Sequence, residues 1–166
     1  MITLQPLKLS DLYLMKEWML DKEVTRFFRF SSYEESKVVD FIKQSWTDAH
    51  NKHFAIRDES DTYLGTISLK NIDEINHHAE YAIVIRKNFW GKGIGKQASQ
   101  LLIDYALQIG LHKVYLNVLA SNETAIQLYL SLGFEKAGVY RDQLYRSGQY
   151  YDLIYFEKIL GGNYEL

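Results

Sequence analysis

Three glycines alternate in the run Trp90-Gly-Lys-Gly-Ile-Gly95, placed between an apolar stretch, Tyr81 to Ile85, and an amphipathic one, Lys96 to Ile109. Glycine lets the backbone come close to a ligand. The N–H groups of a helix's first turn, together with the helix dipole, favour phosphate. Strand, glycine loop and helix N-terminus together make an anion cradle, with Lys92 and Lys96 as flanking cations. Eleven residues before Gly91 stands a carboxylate, Glu80, whose neighbours Ala79 and Tyr81 would desolvate it and strengthen it as a base. Further along, Asn122 and Tyr129 sit on a run with helical spacing. The chemistry suggested is that of a phosphorylated ligand held at a helix N-terminus.

The elements that must position these residues follow from periodicity and capping signals. A strand is expected over Ile2 to Lys8, then a helix from Asp11 to Met19. Ser32-Tyr-Glu-Glu35 has the form of a capping box opening a second helix toward Ala49. Strands follow at His53 to Arg57, Tyr63 to Asn71 and Ala79 to Arg86, with a turn at Asp58 to Asp61. The helix after the glycine loop stops at Gly110-Leu111, and a strand runs from Lys113 to Val118. Asn122 caps a helix that stops at Gly133-Phe134. Two last strands, Phe134 to Tyr140 and Tyr150 to Ile159, flank a turn at Ser147-Gly148. This order predicts a mixed α/β sheet, neither a regular βαβ repeat nor a sandwich.

The 166 residues suit one domain, taken as 1–166, and the formal net charge of −2 gives no field that would draw it to nucleic acid or an anionic membrane. The absence of cysteine excludes disulfides, Cys-ligated zinc and thiol nucleophiles, and the adjacent pair His77 and His78 makes no metal site by itself. Neither a signal peptide nor a membrane-length apolar run is present, so a cytoplasmic protein is expected. Thirteen tyrosines hint at an aromatic-lined pocket.

Three ligand chemistries compete for the loop. A Walker A loop needs glycine five residues before the Gly-Lys pair and Ser or Thr after it, but Trp90 and Gln97 stand there. Gly93-Ile-Gly95-Lys-Gln-Ala98 matches the Rossmann fingerprint, yet the next strand reads Asn117-Val-Leu-Ala, without a ribose-binding acid, and five residues separate Ile85 from Gly91. In the third reading, Trp90-Gly-Lys-Gly-Ile-Gly95 resembles the pyrophosphate motif Gln/Arg-x-x-Gly-x-Gly/Ala of the GNAT superfamily of acetyl-CoA-dependent N-acetyltransferases. Asn122-Glu-Thr-Ala-Ile-Gln-Leu-Tyr-Leu-Ser-Leu-Gly-Phe134 resembles the second signature of that superfamily, Asn-x-x-Ala-x-x-x-Tyr-x-x-x-Gly-Phe. Trp90, where the motif has Gln or Arg, is similar to the subgroup acting on ribosomal-protein N-termini, polyamines and amino sugars.

The resemblance implies a single GNAT-like domain: a central, mostly antiparallel twisted sheet of about seven strands, about four helices and a splayed strand pair at the cofactor site. It implies acetyl-CoA as donor, no metal, and transfer to a primary amine by direct attack through a tetrahedral intermediate. Ile83, Val84 and Ile85 would meet the pantetheine amides. Trp90, Gly91, Lys92, Gly93, Ile94, Gly95 and Lys96 would surround the pyrophosphate, and Asn122 would reach the pantetheine arm. Tyr129 would serve the leaving sulfur, although its spacing from Ala125 and Ile126 also fits a core residue. Glu80 would be the general base, or else a carboxylate on the solvated face of a strand.

A primary ammonium is about 3.4 units from neutral at pH 7, so presenting free amine costs roughly 4.6 kcal/mol. A base therefore helps, but positioning contributes as much or more. By the same resemblance the acceptor meets the first two helices and the last hairpin. Arg26, Phe28, Arg29, Tyr33, His78, Tyr145, Arg146 and Asp152 are the candidates there. Arginines and rings suit a compact, partly anionic amine, while Glu34, Glu35 and Asp152 would instead receive a polyamine. A small-molecule acceptor is favoured over a protein N-terminus. A non-catalytic cofactor-binding module and a homodimer are both compatible with the sequence.

Overall fold

The computed structural model describes residues 1–28 and 32–161. Among them are seven strands: β1 (Thr3–Pro6), β2 (Lys52–Arg57), β3 (Tyr63–Asp73), β4 (His78–Ile85), β5 (Lys113–Leu119), β6 (Glu135–Arg146) and β7 (Gln149–Ile159). They form one sheet in the order β1-β2-β3-β4-β5-β7-β6, antiparallel at every junction except that of β4 with β5. The helices are α1 (Leu12–Leu20), α2 (Glu35–Ser45), α3 (Ile94–Gln108) and α4 (Glu123–Ser131). None of these helices is long and apolar enough to cross a membrane.

Strand alternation sorts side chains onto two faces. Ile67, Leu69, Ala79, Tyr81, Val114, Leu116, Val118 and Phe156 point one way and pack against Ala98, Leu102, Ala106, Tyr129 and Leu132 of the α3 and α4 region. The opposite face is covered by α1 and α2 only over β1 to β3, where Leu7, Met15, Val38, Ile42, Ala55 and Tyr63 form a second, smaller core. Arg57 anchors the entry to α1. Its guanidinium donates to both carboxylate oxygens of Asp11 at 2.6 and 3.0 Å, with both side chains almost wholly buried. Removing one partner would strand the other charge, at about 3–5 kcal/mol.

Both helices on the larger core stop by one device. Gly110, with φ of 86°, lets the Leu111 N–H reach the Ala106 carbonyl and its own N–H reach that of Leu107. Gly133, with φ of 84°, does the same for Phe134 to Tyr129 and for itself to Leu130.

The expected capping box does not form: α2 begins at Glu35, its N-cap is Glu34, and Ser32 lies outside the helix. The Glu34 carboxylate pairs with Lys37 at 2.9 Å instead of capping. The same helix stops at Ser45, short of Ala49, because Asp48 accepts from the His50 and Asn51 amides and turns the chain. β6 runs to Arg146, six residues past its expected end at Tyr140, across an irregularity between Tyr140 and Leu144. The polar run Arg141-Asp-Gln143 hides this extension from hydropathy.

Candidate active site

β4 and β5 pair only through His78–Glu80 and Lys113–Tyr115, and beyond that rung each strand keeps only its outer partner. The two strands part, leaving a V-shaped gap. Arg86 donates its N–H to the Leu64 carbonyl, and Val84 stands opposite Thr66, so Arg86, Val84 and Ala82 direct their backbone groups to β3. Tyr81, Ile83 and Ile85 therefore present theirs to the gap. Of the three residues expected to meet pantetheine amides, Ile83 and Ile85 turn their backbone groups to the gap. Val84 does not, because alternation commits its backbone to β3. The Ile85 carbonyl receives the Trp90 indole N–H at 2.8 Å, so Trp90 staples the glycine loop to the end of β4.

Gly93, in the left-handed region at φ of 75°, is the N-cap of α3 and offers no side-chain cap. The helix starts at Ile94, two residues earlier than periodicity suggested, and this places Gly95 inside its first turn. Among the described residues nothing accepts from the Ile94, Gly95 and Lys96 N–H groups. A Cβ built at Gly95 meets only Leu128 of α4, at an ordinary 3.5 Å. Glycine is thus not demanded there by the protein's own packing, and the space over the first turn is open to an approaching ligand. Gly91 also has positive φ, at 72°. Lys92 lies over the Phe89 ring at 5.4 Å, and Lys96 is exposed. Free N–H groups, a helix dipole and two nearby ammoniums are the donor set that a pyrophosphate requires.

The loop is also tied from beneath. Ser99, fully buried, donates to the Gly95 carbonyl at 2.6 Å and is itself bonded to the Tyr81 hydroxyl. Tyr81 meets Tyr129 edge-on at 5.7 Å, and Tyr129 also packs on Phe134 and Phe156. Burial pushes the Tyr129 phenol up to about 12. Such a phenol stays protonated at neutral pH. It donates a hydrogen bond to a developing thiolate more readily than it surrenders its proton, since a thiol ionises near 8.5. No described residue is bonded to its hydroxyl. Asn122 caps α4, accepting the Ala125 N–H on Oδ1 at 3.2 Å.

Glu80 points to the other face, away from Tyr81 and Tyr129. Lys70 lies 3.4 Å from its Oε1, and Asn71 donates to Oε2 at 3.2 Å. The carboxylate is a quarter exposed, so it can reach a water or an amine but is already partnered. Beside it, Tyr115 and Tyr155 stack at 5.6 Å, and Tyr140 meets Tyr155 edge-on at 6.5 Å. Burial, then the charges of Glu80 and Tyr155, raise the Tyr115 phenol. Neither α1 nor α2 covers this half of the sheet.

The expected acceptor residues divide. Arg146 donates to the Arg26 carbonyl at 3.2 Å, which joins the tip of the last hairpin to the loop after α1. Arg26 itself lies over Phe27, Phe28 meets Trp18 edge-on, and Tyr145 packs on Tyr150 while staying largely exposed. One Asp152 oxygen is engaged by the Asp142 N–H at 2.8 Å, where it steadies the irregularity in β6. Arg29 lies outside the described residues. Among the described residues, the side-chain atoms that are shielded from solvent and left unbonded are Tyr33 Oη, Arg57 Nε, His78 Nδ1, Asn117 Oδ1 and Arg146 Nη2. Apart from Arg57, all belong to the acceptor-side segments or the open sheet face. Sequence reasoning missed Tyr115, Asn117 and Tyr155. The alternation Lys-Val-Tyr-Leu-Asn-Val over 113–118 carried the signal, since it sets Tyr115 and Asn117 on the face opposite the core. Among the described residues, no group of three or more His, Asp or Glu gathers as a metal site.

Comparison with known proteins agrees with this fold. The acetyltransferase (GNAT) domain family matches residues 1–135. The chain is 30% identical over 161 residues to the uncharacterized N-acetyltransferase p20 of Bacillus licheniformis, covering 93% of this chain and 90% of that one. It is 28% identical to the spermidine N(1)-acetyltransferase of Escherichia coli, with 92% and 83% covered. Identity reaches 39% over 126 residues with the putative ribosomal N-acetyltransferase YdaF of Bacillus subtilis, covering 75% and 68%. The crystal structure of spermidine N-acetyltransferase from Vibrio cholerae with CoA and spermine superposes with a TM-score of 0.89 at 24% identity, over 96% of this chain and 95% of that one. The chain belongs to the GNAT family of acetyltransferases and is an N-acetyltransferase that uses acetyl-CoA.

Proposed function

We propose that the acceptor is a small-molecule amine carrying more than one positive charge, with a polyamine the first candidate. The observation that carries this reading is the half-sheet that neither α1 nor α2 covers, where the rings of Tyr115, Tyr155 and Tyr140 stand beside the Glu80 carboxylate. Rings and a carboxylate attract ammonium groups, and partial burial strengthens both attractions. The arginines that would favour an anionic acceptor supply less: Arg146 commits Nη1 to a backbone carbonyl and keeps only Nη2 unbonded, and Arg26 lies on a ring. Similarity to spermidine acetyltransferases along most of the chain supports the same choice.

In this reading the Ile94, Gly95 and Lys96 N–H groups hold the pyrophosphate, and Ile83 and Ile85 meet the pantetheine amides. Acetyl-CoA, when bound, supplies the thioester. The amine attacks from the Glu80 side, where the carboxylate receives its proton directly or through water. Tyr129 donates to the sulfur from the opposite side of the parted strands. We place the reaction in the cytoplasm, and a homodimer is compatible with it.

A second reading, acetylation of a protein N-terminus, is favoured by the 39% identity with the putative ribosomal enzyme. Release of free thiol from acetyl-CoA, measured with spermidine, glucosamine, glutamate and a short peptide, separates the two. Spermidine should give the highest kcat/KM. A peptide preferred by two or more orders of magnitude would overturn the small-molecule reading, and no release with any amine would overturn both.

A further inference from the structure

Asn117 sits one face-repeat beyond the last β4–β5 rung, two residues after Tyr115 and directly opposite Tyr155 of β7. Its side chain points to the open half-sheet, because its neighbours Leu116 and Val118 fill the core on the other face. At that point β4 has already left, so one flank of Asn117 is the gap itself. Its Oδ1 is shielded from solvent and no described donor reaches it. A shielded, unbonded amide oxygen is costly, and such oxygens are bonded in the great majority of proteins. A ligand with N–H groups would satisfy it.

We propose that Asn117 positions the acceptor for attack, its Oδ1 accepting an N–H hydrogen bond from the reacting amine. The inference rests on the acetyl-transfer reading and adds a substrate-touching residue to it. In the reaction the nitrogen lone pair forms the C–N bond with the thioester carbonyl carbon, and the carbonyl π pair moves to oxygen. That pair returns as the C–S bond breaks, and the sulfur leaves with the bonding electrons. One N–H proton must depart from nitrogen. An amide oxygen is far too weak a base to take it, so Asn117 cannot replace Glu80. A hydrogen bond from one N–H fixes the direction of the lone pair, which is the orientation that proximity catalysis requires. The neighbouring rings of Tyr115 and Tyr155 would hold the carbon chain or a second ammonium.

The test compares Asn117→Leu, which removes the oxygen at nearly constant volume, with Asn117→Asp, which keeps an acceptor at the same place. For the panel amine with the highest kcat/KM, Asn117→Leu should lower kcat/KM by about 10–100-fold while the KM for acetyl-CoA stays within about twofold. Asn117→Asp should recover most of that loss. Since no bond to a described residue is removed, Asn117→Leu should melt no lower than the parent. Unchanged amine kinetics in Asn117→Leu would overturn the proposal while leaving the activity intact. So would a melting point several degrees lower with amine and acetyl-CoA parameters equally damaged, which is the mark of a purely structural residue. Absence of turnover by the parent with every amine would remove the activity reading and this one with it.

Discussion

Helices α3 and α4 lie on the same face of the sheet and end in the same glycine-hydrophobic stop, yet they begin in opposite ways. At α4 the Asn122 side chain accepts the Ala125 N–H, so part of the exposed donor set is satisfied from within. At α3 the N-cap is Gly93, which has no side chain to give, and among the described residues nothing accepts from the first-turn N–H groups of Ile94, Gly95 and Lys96. A helix of fifteen residues can carry an uncapped start because Ala98, Leu102 and Ala106 bury its inner face completely. The difference teaches where a ligand is expected. One start is partly capped by the protein's own side chain, and the other, uncapped, is where an anion is expected.

The comparison can be broken from either side. The largest change should come from Gly93→Val, which forces a β-branched residue to φ of 75° at the N-cap itself. CoA affinity should fall well over tenfold, and melting should also drop, because left-handed backbone costs such a residue about 1–2 kcal/mol. Next is Tyr129→Phe. It leaves the ring contacts in place and removes one hydrogen bond to a developing charge, roughly 1.5–3 kcal/mol, or about 10–100-fold in kcat, with the KM for acetyl-CoA little changed. Unaltered turnover would return Tyr129 to a packing role.

Asn122 sharpens the contrast, since Oδ1 caps the helix while the proposed cofactor site would use its NH2 group toward a pantetheine carbonyl. Asn122→Asp keeps the cap and loses the donor, so melting should hold while CoA affinity weakens severalfold. Equal affinity in calorimetry would remove Asn122 from the binding residues. Lys92→Ala should weaken CoA binding only a few fold, and less at high salt, because an exposed ammonium is screened.

The smallest effect concerns the other face. His53, bonded to Ser68 beneath the Phe41 ring, has its imidazole pushed down to about 4, chiefly by burial and then by Lys70. The fold favours neutral imidazole, so this stabilisation is complete above the unfolded value near 6.5 and is lost as pH falls toward 4. Partial exposure keeps it below about 2 kcal/mol. In urea titrations His53→Gln should show a shallower loss of stability between pH 6.5 and 5. An identical slope would dismiss the group.

The local geometry of the candidate cofactor side was legible in sequence for a physical reason. Glycine at positive φ, an Asn cap and a tyrosine on an apolar helix face are local features, fixed within a few residues of one another. The element order follows from periodicity for the same reason. The acceptor side is built from distant parts. Glu80 meets Lys70 across a hairpin, Arg146 reaches Arg26 across 120 positions, and Tyr115 stacks on Tyr155 across β5 and β7. None of those pairings has a local signature, so arginines and carboxylates could be counted but not assigned. Val84 shows the same limit at small scale, because its backbone direction depends on register with β3 and not on its own identity.

The uncapped start of α3 is tested most directly at Gly95. Here helical backbone and open space let a larger residue fold, with only Leu128 within 4 Å of an added Cβ. CoA binding by calorimetry and melting temperature should be measured for Gly95→Val beside Asn122→Ala. The account predicts opposite failures. Gly95→Val should lose more than about tenfold in CoA affinity with melting nearly unchanged. Asn122→Ala should melt about 2–4 °C lower for the loss of its cap, about 1 kcal/mol, with a much smaller loss of affinity. Normal CoA binding by Gly95→Val, together with its abolition in Lys92→Ala, would contradict a backbone cradle.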